Sequence, residues 1–574
     1  MIEEKVGDEP KGPSSPTSSL GRVRKNFNSF DFANARVIKD LVKSRLKNQA
    51  DLALFKRKTA KKYKIPCPSN IELLKAYHKL LKTKRMIRSR KIENLLKTRP
   101  IRSLSGIVNI SVLTKSYPCP GKCIFCPKEK GIPKSYLSGE PAVERAKRLK
   151  YNPYLQVKKR LEMLELEGHP TDKVELRIVG GTWSYYPKKY QIWFILRCFQ
   201  AANQSSTNYT MVENVLLEGL RKEQKKNEKA KHRIVGLSIE TRPDFINFEE
   251  IKWLRKLGVT MVEMGVQSIY DDVLKLNSRG HGVKEIITAT QLLKNAGFKI
   301  LYQMMPNLPG SNLKKDEKMF EELFKNSDFQ PDLLKIYPCA ILKEAKLFRK
   351  WKKGQYKPYT QSQLINLLKS IKKKIPCHVR IQRINRDIPS SRVAAGPAKI
   401  SNLRQILIES MKKENWQCRC IRCREVKENY DPNEKFYLFR KDYDASGGKE
   451  IFLSFENKKR TKLHSLLRLR IPSQRNEAGP RYVFSGLKDA AIIREVHTYG
   501  ELVPIAETRI APQHQGLGKK LIREAEKIVY TEFSRSAKKE FDLSKIAVIS
   551  AVGTRNYFRK LRYRLKDTYM VKEF

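Results

Sequence analysis

Short apolar runs that alternate with helical patterns constrain the fold of this 574-residue chain more than any other feature. Between residues 105 and 400, each such run is followed by a longer stretch with helical spacing. This alternation is typical of a parallel sheet whose strands are joined by helices, and it predicts an α/β fold with a full or partial TIM-like (β/α) barrel. The predicted strands are 107–112, 174–179, 234–239, 260–266, 300–305, 333–337 and 379–384.

The segments on either side of the predicted barrel differ from it in character. Residues 1–20 are rich in Ser, Pro and Gly, lack the apolar stretch of a signal peptide, and are expected to form a disordered tail. Residues 21–104 predict a basic helical region, in which Ser69 and Glu72 form a capping box and Val37, Ile38, Leu41 and Val42 share a face. Residues 401–440 form a linker with little regular patterning, and residues 441–574 return to mixed α/β patterns.

The charge of the chain indicates an anionic partner. Lys and Arg number 118 against 59 Asp and Glu, a formal net charge of +59. Residues 22–102 alone carry 25 basic and 5 acidic side chains. Nucleic acid is the expected partner, and an anionic membrane surface or a lysine-rich proteome are the alternatives. No apolar run is long enough to span a bilayer, so no transmembrane helix is expected. Of the possible partners, nucleic acid is predicted and a membrane is not.

Six of the ten cysteines fall in two tight groups, which indicates metal ligands in a reducing, cytoplasmic environment. Cys119, Cys123 and Cys126 follow the first predicted strand with C-x3-C-x2-C spacing. Three thiolates can hold three irons of a 4Fe–4S cluster and leave the fourth iron open for S-adenosylmethionine (SAM). Reduction of SAM there yields a 5′-deoxyadenosyl radical, and Phe125 is placed to pack on the adenine. An incomplete zinc knuckle is the alternative.

Polar and glycine residues follow three further predicted strands. Because the carboxyl ends of parallel barrel strands share one rim, these residues are expected to lie near the first cysteine group and to bind SAM. Glycines there let a ligand approach the backbone closely. The residues are Gly180, Gly181 and Thr182 after the second strand, Glu240 and Arg242 after the third, and Gln267 after the fourth.

The second cysteine group, Cys418, Cys420 and Cys423, has C-x-C-x2-C spacing. Three thiolates and one further ligand make a tetrahedral structural zinc site, so a zinc-binding linker is predicted. A redox site or a second iron–sulfur site is the alternative. Candidates for the fourth ligand are Cys67, Cys339, Cys377 and a histidine such as His378.

A glycine-containing motif opens a predicted helix near the C-terminus. Its backbone N–H groups and the helix dipole suit a pyrophosphate, and the strand predicted at 546–552 follows. This order resembles the GNAT acetyltransferase fold and predicts acetyl-CoA as the ligand. The motif comprises Gln513, Gln515, Gly516, Leu517, Gly518 and Lys519.

Together these motifs resemble the Elongator complex protein 3 family, in its prokaryotic type, from about residue 20 to 574. The matching stretches are CPGKCIFCP, KSYLSGEPA, HPTDKVELRIVGGTW, SIETRPD, EMGVQSIYDD, SRGHGVK, MMPNLPG, KIYP and RDIPS. The resemblance implies a radical SAM barrel joined to a GNAT domain. It also implies an enzyme that forms 5-carboxymethyluridine at wobble position 34 of tRNA.

The implied reaction uses both ligands. A SAM-derived radical abstracts hydrogen from the acetyl methyl group, the acetyl radical adds to the uridine, and hydrolysis of the thioester releases coenzyme A. The basic region would bind the anticodon stem-loop, and a reductant is required. A homodimer and accessory Elongator-like subunits both remain open. Two rival hypotheses are a protein lysine acetyltransferase with a structural iron–sulfur domain and a non-catalytic RNA-binding scaffold.

The resemblance also assigns residues to the acetyl-CoA site. Lys173 would reach the same ligand from the barrel and join the two active sites. Three positions depart from the residues usual in the family. Phe558 replaces a tyrosine, so either Tyr557 is the acid or thioester cleavage needs none. Asn307 replaces an aspartate, and Arg562 replaces a glycine. The implied acetyl-CoA contacts are Glu495, Val496, His497, Thr498, the 513–519 loop and Phe558.

Overall fold

The structure, a computed structural model, describes residues 29–46, 48–427, 430–431, 433–472, 484–500, 513, 515–534 and 543–574. It divides into two compact units, Met1–Thr98 and Arg99–Phe574. The tail predicted at 1–20 lies outside the described residues. Among those that are described, no helix combines the length and apolar character needed to cross a membrane.

The helices are α1 Ser29–Lys43, α2 Gln49–Tyr63, α3 Asn70–Lys82, α4 Arg90–Leu96, α5 Pro141–Arg148, α6 Pro153–Leu166, α7 Lys188–Asn203, α8 Glu213–Asn227, α9 Phe248–Leu257, α10 Asp271–Leu276, α11 Val283–Asn295, α12 Leu313–Lys325, α13 Leu347–Lys352, α14 Gln361–Lys374, α15 Leu403–Lys413, α16 Ile421–Arg424, α17 Leu517–Ile528 and α18 Arg555–Arg559. The strands are β1 Val108–Leu113, β2 Lys173–Val179, β3 Arg233–Thr241, β4 Met261–Gln267, β5 Lys299–Met304, β6 Leu333–Ile336, β7 Ile341–Leu342, β8 Arg380–Ile384, β9 Val393–Ala395, β10 Phe436–Ala445, β11 Gly448–Asn457, β12 Leu463–Pro472, β13 Ala490–Thr498, β14 Lys545–Val548, β15 Arg564–Lys566 and β16 Tyr569–Glu573.

Apolar stripes of α1 and α3 form the core of the N-terminal unit. The predicted capping box is confirmed, since the Ser69 hydroxyl accepts from the Glu72 N–H and the Glu72 carboxylate accepts from the Ser69 N–H. Val37 and Ile38 are buried as predicted, but Val42 is 46% exposed. Val42 lies at the edge of the buried stripe, where the helix already turns toward solvent.

Seven parallel strands in the order β1-β2-β3-β4-β5-β6-β8 form the first sheet of the larger unit. Each predicted strand is present to within two residues, which confirms the strand–helix alternation. Alternate side chains point to the surrounding helices; on β1 these are Val108, Ile110 and Val112, all fully buried. Because β1 and β8 are the two ends of the order, the sheet is a half-barrel open on one side.

A second seven-stranded sheet, β10-β11-β12-β13-β14-β16-β15, is antiparallel except for the pair β13 and β14. Helix α17 packs against β12 and β13. Two expectations about this part of the chain were wrong. The linker 401–440 contains α15, whose buried Leu403, Leu407 and Met411 belong to the barrel core. The strand predicted at 546–552 ends at Val548.

Buried ion pairs join the second sheet to the amino ends of the barrel strands. Asp332, which precedes β6, accepts from both terminal nitrogens of Arg494 on β13 at 2.9 and 2.6 Å, and Arg468 on β12 lies 3.6 Å away. Burial opposes ionisation of Asp332, but the two arginines outweigh it and hold its pKa below the ordinary value. At the rim of this contact, Lys299 donates to Glu495 at 3.0 Å.

Replacing Arg494 by methionine is expected to destabilise the larger unit by about 3–5 kcal/mol, because Asp332 is left buried without its main counter-charge. The unfolding midpoint in denaturant measures this. Lys222→Met is the matched control: its pair with Glu218 is exposed to solvent, so its loss is expected to leave the unfolding midpoint nearly unchanged. An Arg494→Met protein as stable as the control would show that this ion pair does not hold the sheets together.

Candidate active site

The loop after β1 holds the first cysteine group around Gly121. A Cβ built on Gly121 would lie 3.5 Å from the Sγ atoms of both Cys119 and Cys123. The Sγ of Cys123 also accepts from Arg279 at 3.1 Å. Burial, reinforced by the charge of Cys123, raises the pKa of Cys126 to about 12. A bound metal would favour the ionised form of this thiol.

The spacing of these sulfur atoms distinguishes between an iron–sulfur cluster and a zinc knuckle at the first cysteine group. The Sγ atoms of Cys119, Cys123 and Cys126 do not all lie within 4.8 Å of one another, whereas those of the second cysteine group do. A single zinc ion holds its thiolates at about 2.3 Å and thus close together. The wider arrangement fits a cluster whose cysteines bind separate irons, and it disfavours the zinc knuckle.

Arg242 supplies a further sign of an anionic ligand at the first cysteine group. Its Nε and Nη2 atoms donate to Asp244 at 2.9 and 2.8 Å, while its Nη1 atom is buried and has no hydrogen-bond partner within the described ranges. That Nη1 atom lies 2.7 Å from the Cβ position of Gly121. A buried guanidinium N–H beside two thiols suits the negative charge of a thiolate-bound cluster.

A cavity of about 280 Å³ opens at the carboxyl ends of the barrel strands; we call it the upper cavity. It brings together three of the residues predicted to bind SAM, whereas Gly180, Gly181, Thr182 and Arg242 do not contribute to its wall. The walls include Ser111, Phe125, Cys126, Tyr136, Arg145, Arg177, Glu240, Gln267, Gln303, Lys335, Gln382 and Arg386.

Glu240 is held in place by its neighbours in the upper cavity. Its carboxylate accepts from the Tyr136 hydroxyl at 3.1 Å and from the Gln303 amide at 3.2 Å. Burial raises the pKa of Glu240, and Lys335, 3.7 Å away, opposes that rise. Tyr136, Lys335 and Arg386 were not predicted as site residues, although they lie in the stretches KSYLSGEPA, KIYP and RDIPS that carry the family resemblance.

The two glycines after β2 serve the packing of the barrel rim. Gly180 and Gly181 have φ angles of 136° and 104°, which favour glycine. A Cβ on Gly180 would lie 2.0 Å from the Thr114 hydroxyl oxygen at the end of β1. Thr182 lies closer to the first cysteine group, with its hydroxyl 3.7 Å from the Cys119 sulfur. SAM contacts from these three residues stay a prediction.

The amide at position 307 has a structural role. Asn307 adopts a φ of 66°, its N–H donates to Asp316 at 2.6 Å, and its side-chain oxygen accepts from the Tyr359 N–H at 2.7 Å. Asparagine tolerates the left-handed conformation well. Asn307 therefore stabilises a turn two residues after Met305, which lines the upper cavity.

Predicted acetyl-CoA residues converge at the start of α17. A Cβ on Gly518 would lie 3.3 Å from the Tyr557 hydroxyl, 3.6 Å from a Val496 methyl and 3.9 Å from the Thr498 hydroxyl. Pairing of β13 with β14 ends at Ile493, so residues 494–498 have a strand edge that no described strand covers on that side. We call this strand edge, together with the helix start, the β13 groove.

The remaining predicted acetyl-CoA residues differ in their exposure to solvent. Gln515 and Lys519 are exposed, Gly516 has a φ of 75° with open space around its Cα, and Leu517 is buried. Phe558 is 5% exposed and packs in the core of the second sheet, whereas Tyr557 is 37% exposed. Burial raises the pKa of Tyr557 to about 12, so it stays protonated at neutral pH.

Lys173 lies beside this C-terminal site. Its ammonium donates to Gln513 at 3.0 Å, and the Gln513 amide donates to the carbonyls of Gly106 and Thr498, each at 3.1 Å. However, Lys173 begins β2, whereas Gly180 follows its end. The seven residues of β2 span about 23 Å, so Lys173 alone does not connect the β13 groove with the upper cavity.

The second cysteine group is compact. The sulfur atoms of Cys418, Cys420 and Cys423 lie within 4.8 Å of one another, and the Lys372 ammonium lies 3.4 Å from the Cys423 sulfur. No other Cys, His or carboxylate of the described residues joins them. None of the candidate fourth ligands joins the three sulfurs. Cys377 lies 3.8 Å from Arg460, and His378 stacks on Tyr443. Cys339 packs near the first cysteine group, and Cys67 belongs to the N-terminal unit.

Comparison with known proteins agrees with these features. Residues 114–323 match the Radical SAM superfamily, and residues 331–413 match the Radical_SAM C-terminal domain. A tRNA uridine(34) acetyltransferase from Methanocaldococcus infernus is 41% identical over 94% of this chain and 98% of its own length. Elongator complex protein 3 from Homo sapiens is 37% identical over 93% of this chain and 96% of its own.

A solved structure gives the same picture. The archaeal Methanocaldococcus infernus Elp3 with its N-terminal residues 1–46 deleted superposes with a TM-score of 0.68 and 40% identity. The match covers 82% of this chain and all of that chain.

Proposed function

The chain belongs to the Elongator complex protein 3 family and contains a radical SAM domain, and on that basis we propose that it is an acyltransferase that forms 5-carboxymethyluridine at wobble position 34 of tRNA. The observation that carries this proposal is the cysteine triplet after β1, beside which lies an Arg242 nitrogen that no described residue pairs with. Acetyl-CoA supplies the two carbons, and SAM supplies the radical.

Cys119, Cys123 and Cys126 would hold a 4Fe–4S cluster, which when bound supplies the electron that cleaves SAM. Arg242 and Arg279 would stabilise the thiolate charge, since Arg279 donates to the Cys123 sulfur and the Arg242 Nη1 atom lies beside Gly121. Opposite them, Glu240 offers a fixed carboxylate to a ribose hydroxyl. The upper cavity, whose wall includes Cys126 and Glu240, would limit the access of water to this site.

The β13 groove is proposed to bind acetyl-CoA. Its uncovered strand edge can pair with the amide groups of the pantetheine arm, and the first N–H groups of α17 can bind the pyrophosphate. The single parallel pair β13–β14 in an otherwise antiparallel sheet supports the GNAT assignment of residues 441–574. Tyr557 is the proposed proton donor to the leaving thiolate, because its hydroxyl lies at the helix start while Phe558 has none.

The second cysteine group is proposed to hold a structural zinc ion, because its three sulfurs lie as close together as one metal requires. Here α16 and the start of the second sheet meet the barrel: Arg424 donates to the Cys377 carbonyl and contacts Glu456 on β11. A metal in this position would brace the junction.

The N-terminal unit is proposed to bind the anticodon stem-loop. Its lysines at 61, 62, 64, 82 and 84, and Arg85, are all exposed. Lys62 is paired with Asp40 at 2.8 Å, which leaves the others as the better phosphate contacts. Such contacts fix position without reading sequence.

The proposed function predicts a mass change at one nucleoside. Anaerobic incubation with SAM, acetyl-CoA, a reductant and tRNA is expected to give carboxymethyluridine at position 34, detected by mass spectrometry of the digested tRNA. Cys123→Ala is expected to give none and Cys67→Ala full product, since Cys67 is exposed and lies in the other unit. Acetylated lysines with unmodified tRNA would instead support a protein acetyltransferase.

Metal analysis is expected to separate the two cysteine groups. Cys123→Ala should lose iron and SAM cleavage but keep zinc, and Cys420→Ala should lose zinc but keep iron, so that each variant is the control for the other. Elemental analysis of anaerobically purified protein measures both. Loss of iron in both variants, with no zinc in the wild type, would contradict the assignment.

Removing three lysines from the N-terminal unit is expected to flatten the salt dependence of tRNA binding. For Lys61, Lys64 and Lys82 changed to Ala, the slope of log K against log salt should fall by about 2–3. The control changes Lys225, Lys226 and Lys229, three exposed lysines of the larger unit. Equal flattening in both triple variants would place the binding face elsewhere.

A further inference from the structure

The last turn of α14 carries three consecutive lysines, of which one is buried. Lys373 and Lys374 are exposed, whereas Lys372 is only 2% exposed. A helical lysine on a protein surface usually extends its ammonium to water along an apolar stem. The ammonium of Lys372 instead points inward and donates to the Sγ atom of Cys423 at 3.4 Å. A full positive charge is therefore buried beside the second cysteine group.

A buried ammonium needs a negative partner, because removing it from water is costly unless an opposite charge accompanies it. Among the described residues, no carboxylate pairs with Lys372. The groups that favour its charged form are the sulfurs of Cys418, Cys420 and Cys423. Neutral thiols would leave the ammonium without a counter-charge, so the second cysteine group has to carry negative charge.

The charges of a metal–thiolate unit match this requirement. One divalent ion and three thiolates together carry a single net negative charge, which one ammonium cancels. Two other cations close to the group are bound elsewhere: Arg422 pairs with Glu425 at 2.9 Å, and Arg404 of α15 donates to the Ile381 carbonyl at 3.1 Å. Lys372 is thus the cation that contacts a sulfur of this group within the described residues.

The contact between Lys372 and Cys423 is held in place from both sides. Ile371, the neighbour of Lys372 on α14, is buried in the barrel core. The cysteine segment is fixed separately, because the Ile421 N–H donates to the Val379 carbonyl at 3.0 Å, directly before β8. Two independently anchored elements therefore bring the ammonium to the sulfur.

We propose that Lys372 is part of the metal site at the second cysteine group. Its ammonium donates a hydrogen bond to the Cys423 thiolate and cancels the net charge of the metal–thiolate unit, and both effects strengthen metal binding. The hydrogen bond also draws electron density from the sulfur, which makes the bound thiolate a weaker nucleophile. This inference rests on the proposed function for the zinc ion, and it adds a residue that no cysteine spacing identifies.

Zinc affinity tests the proposal directly. Lys372→Met keeps the length of the side chain but removes its charge and its N–H donors. The apparent Kd for zinc of the full-length protein is expected to rise about 10–100-fold, measured by elemental analysis in chelator-buffered zinc solutions. Lys373→Met is the matched control, since it changes an exposed lysine of the same turn and is expected to leave the affinity unchanged. Equal affinities in the two variants would overturn the proposal.

The unfolding midpoint in denaturant distinguishes a charge partner from a residue that only fills space. In zinc-free protein the cysteines are expected to take up protons, so the Lys372 ammonium loses its counter-charge. Lys372→Met is therefore expected to raise the midpoint of the zinc-free protein and to lower that of the zinc-saturated protein. A midpoint that falls equally with and without zinc would show a packing role and contradict the inference.

Alkylation of Cys423 by iodoacetamide, followed by mass spectrometry of its peptide, gives opposite signs for a metal site and a metal-free thiolate. In a metal site, Lys372→Met is expected to speed alkylation, because the sulfur loses its hydrogen bond and binds zinc less tightly. In a metal-free pair, the lysine would hold Cys423 as a reactive thiolate, and its removal would slow alkylation. Slower alkylation would refute the proposal.

The measurements keep this inference separate from the proposed function. Wild-type protein without zinc would refute the zinc assignment and the role of Lys372 together. Wild-type protein whose zinc affinity does not change in Lys372→Met would refute the role of Lys372 alone. Because no measurement here requires tRNA, the outcome for carboxymethyluridine formation is decided independently.

Discussion

The arrangement of the larger unit depends on one buried carboxylate. Asp332 lies where the barrel strands begin, and it receives two arginines from neighbouring strands of the second sheet. Buried charges that have lost their hydration must be matched in position as well as in sign. Few other orientations of the second sheet on the barrel would satisfy this requirement. It fixes the second sheet beneath the half-barrel. The proposed iron–sulfur site and the proposed thioester site consequently occupy opposite ends of the same strands.

Local rules in the sequence predicted much of this structure. Alternation of apolar runs with helical spacing located all seven barrel strands, and the cap at Ser69 followed from two residues. The cysteine spacings also pointed to two different metal sites, and the sulfur positions are consistent with that difference. Each of these features is decided within a few neighbouring residues, where backbone geometry and side-chain chemistry act alone.

Features that depend on distant segments were not predictable in the same way. Arg494 and Arg468 stand among apolar neighbours in the sequence, and nothing local shows that they meet Asp332 more than 130 residues earlier. Helix α15 was overlooked because its apolar stripe is short and lies beside the cysteine group. The position of Phe558 in the core, next to an exposed Tyr557, depends on how a five-residue helix turns.

Strand β13 contributes residues both to the contact between the two sheets and to the proposed thioester site. One part of it supplies Arg494 to the docking contact, and the residues that follow line the proposed thioester groove. Because a β-strand is stiff along its length, a ligand that displaces the edge of β13 also displaces Arg494 and strains its ion pair with Asp332. Binding of the thioester and packing of the two sheets are then thermodynamically linked. The free energy by which one changes the equilibrium of the other is the same in both directions.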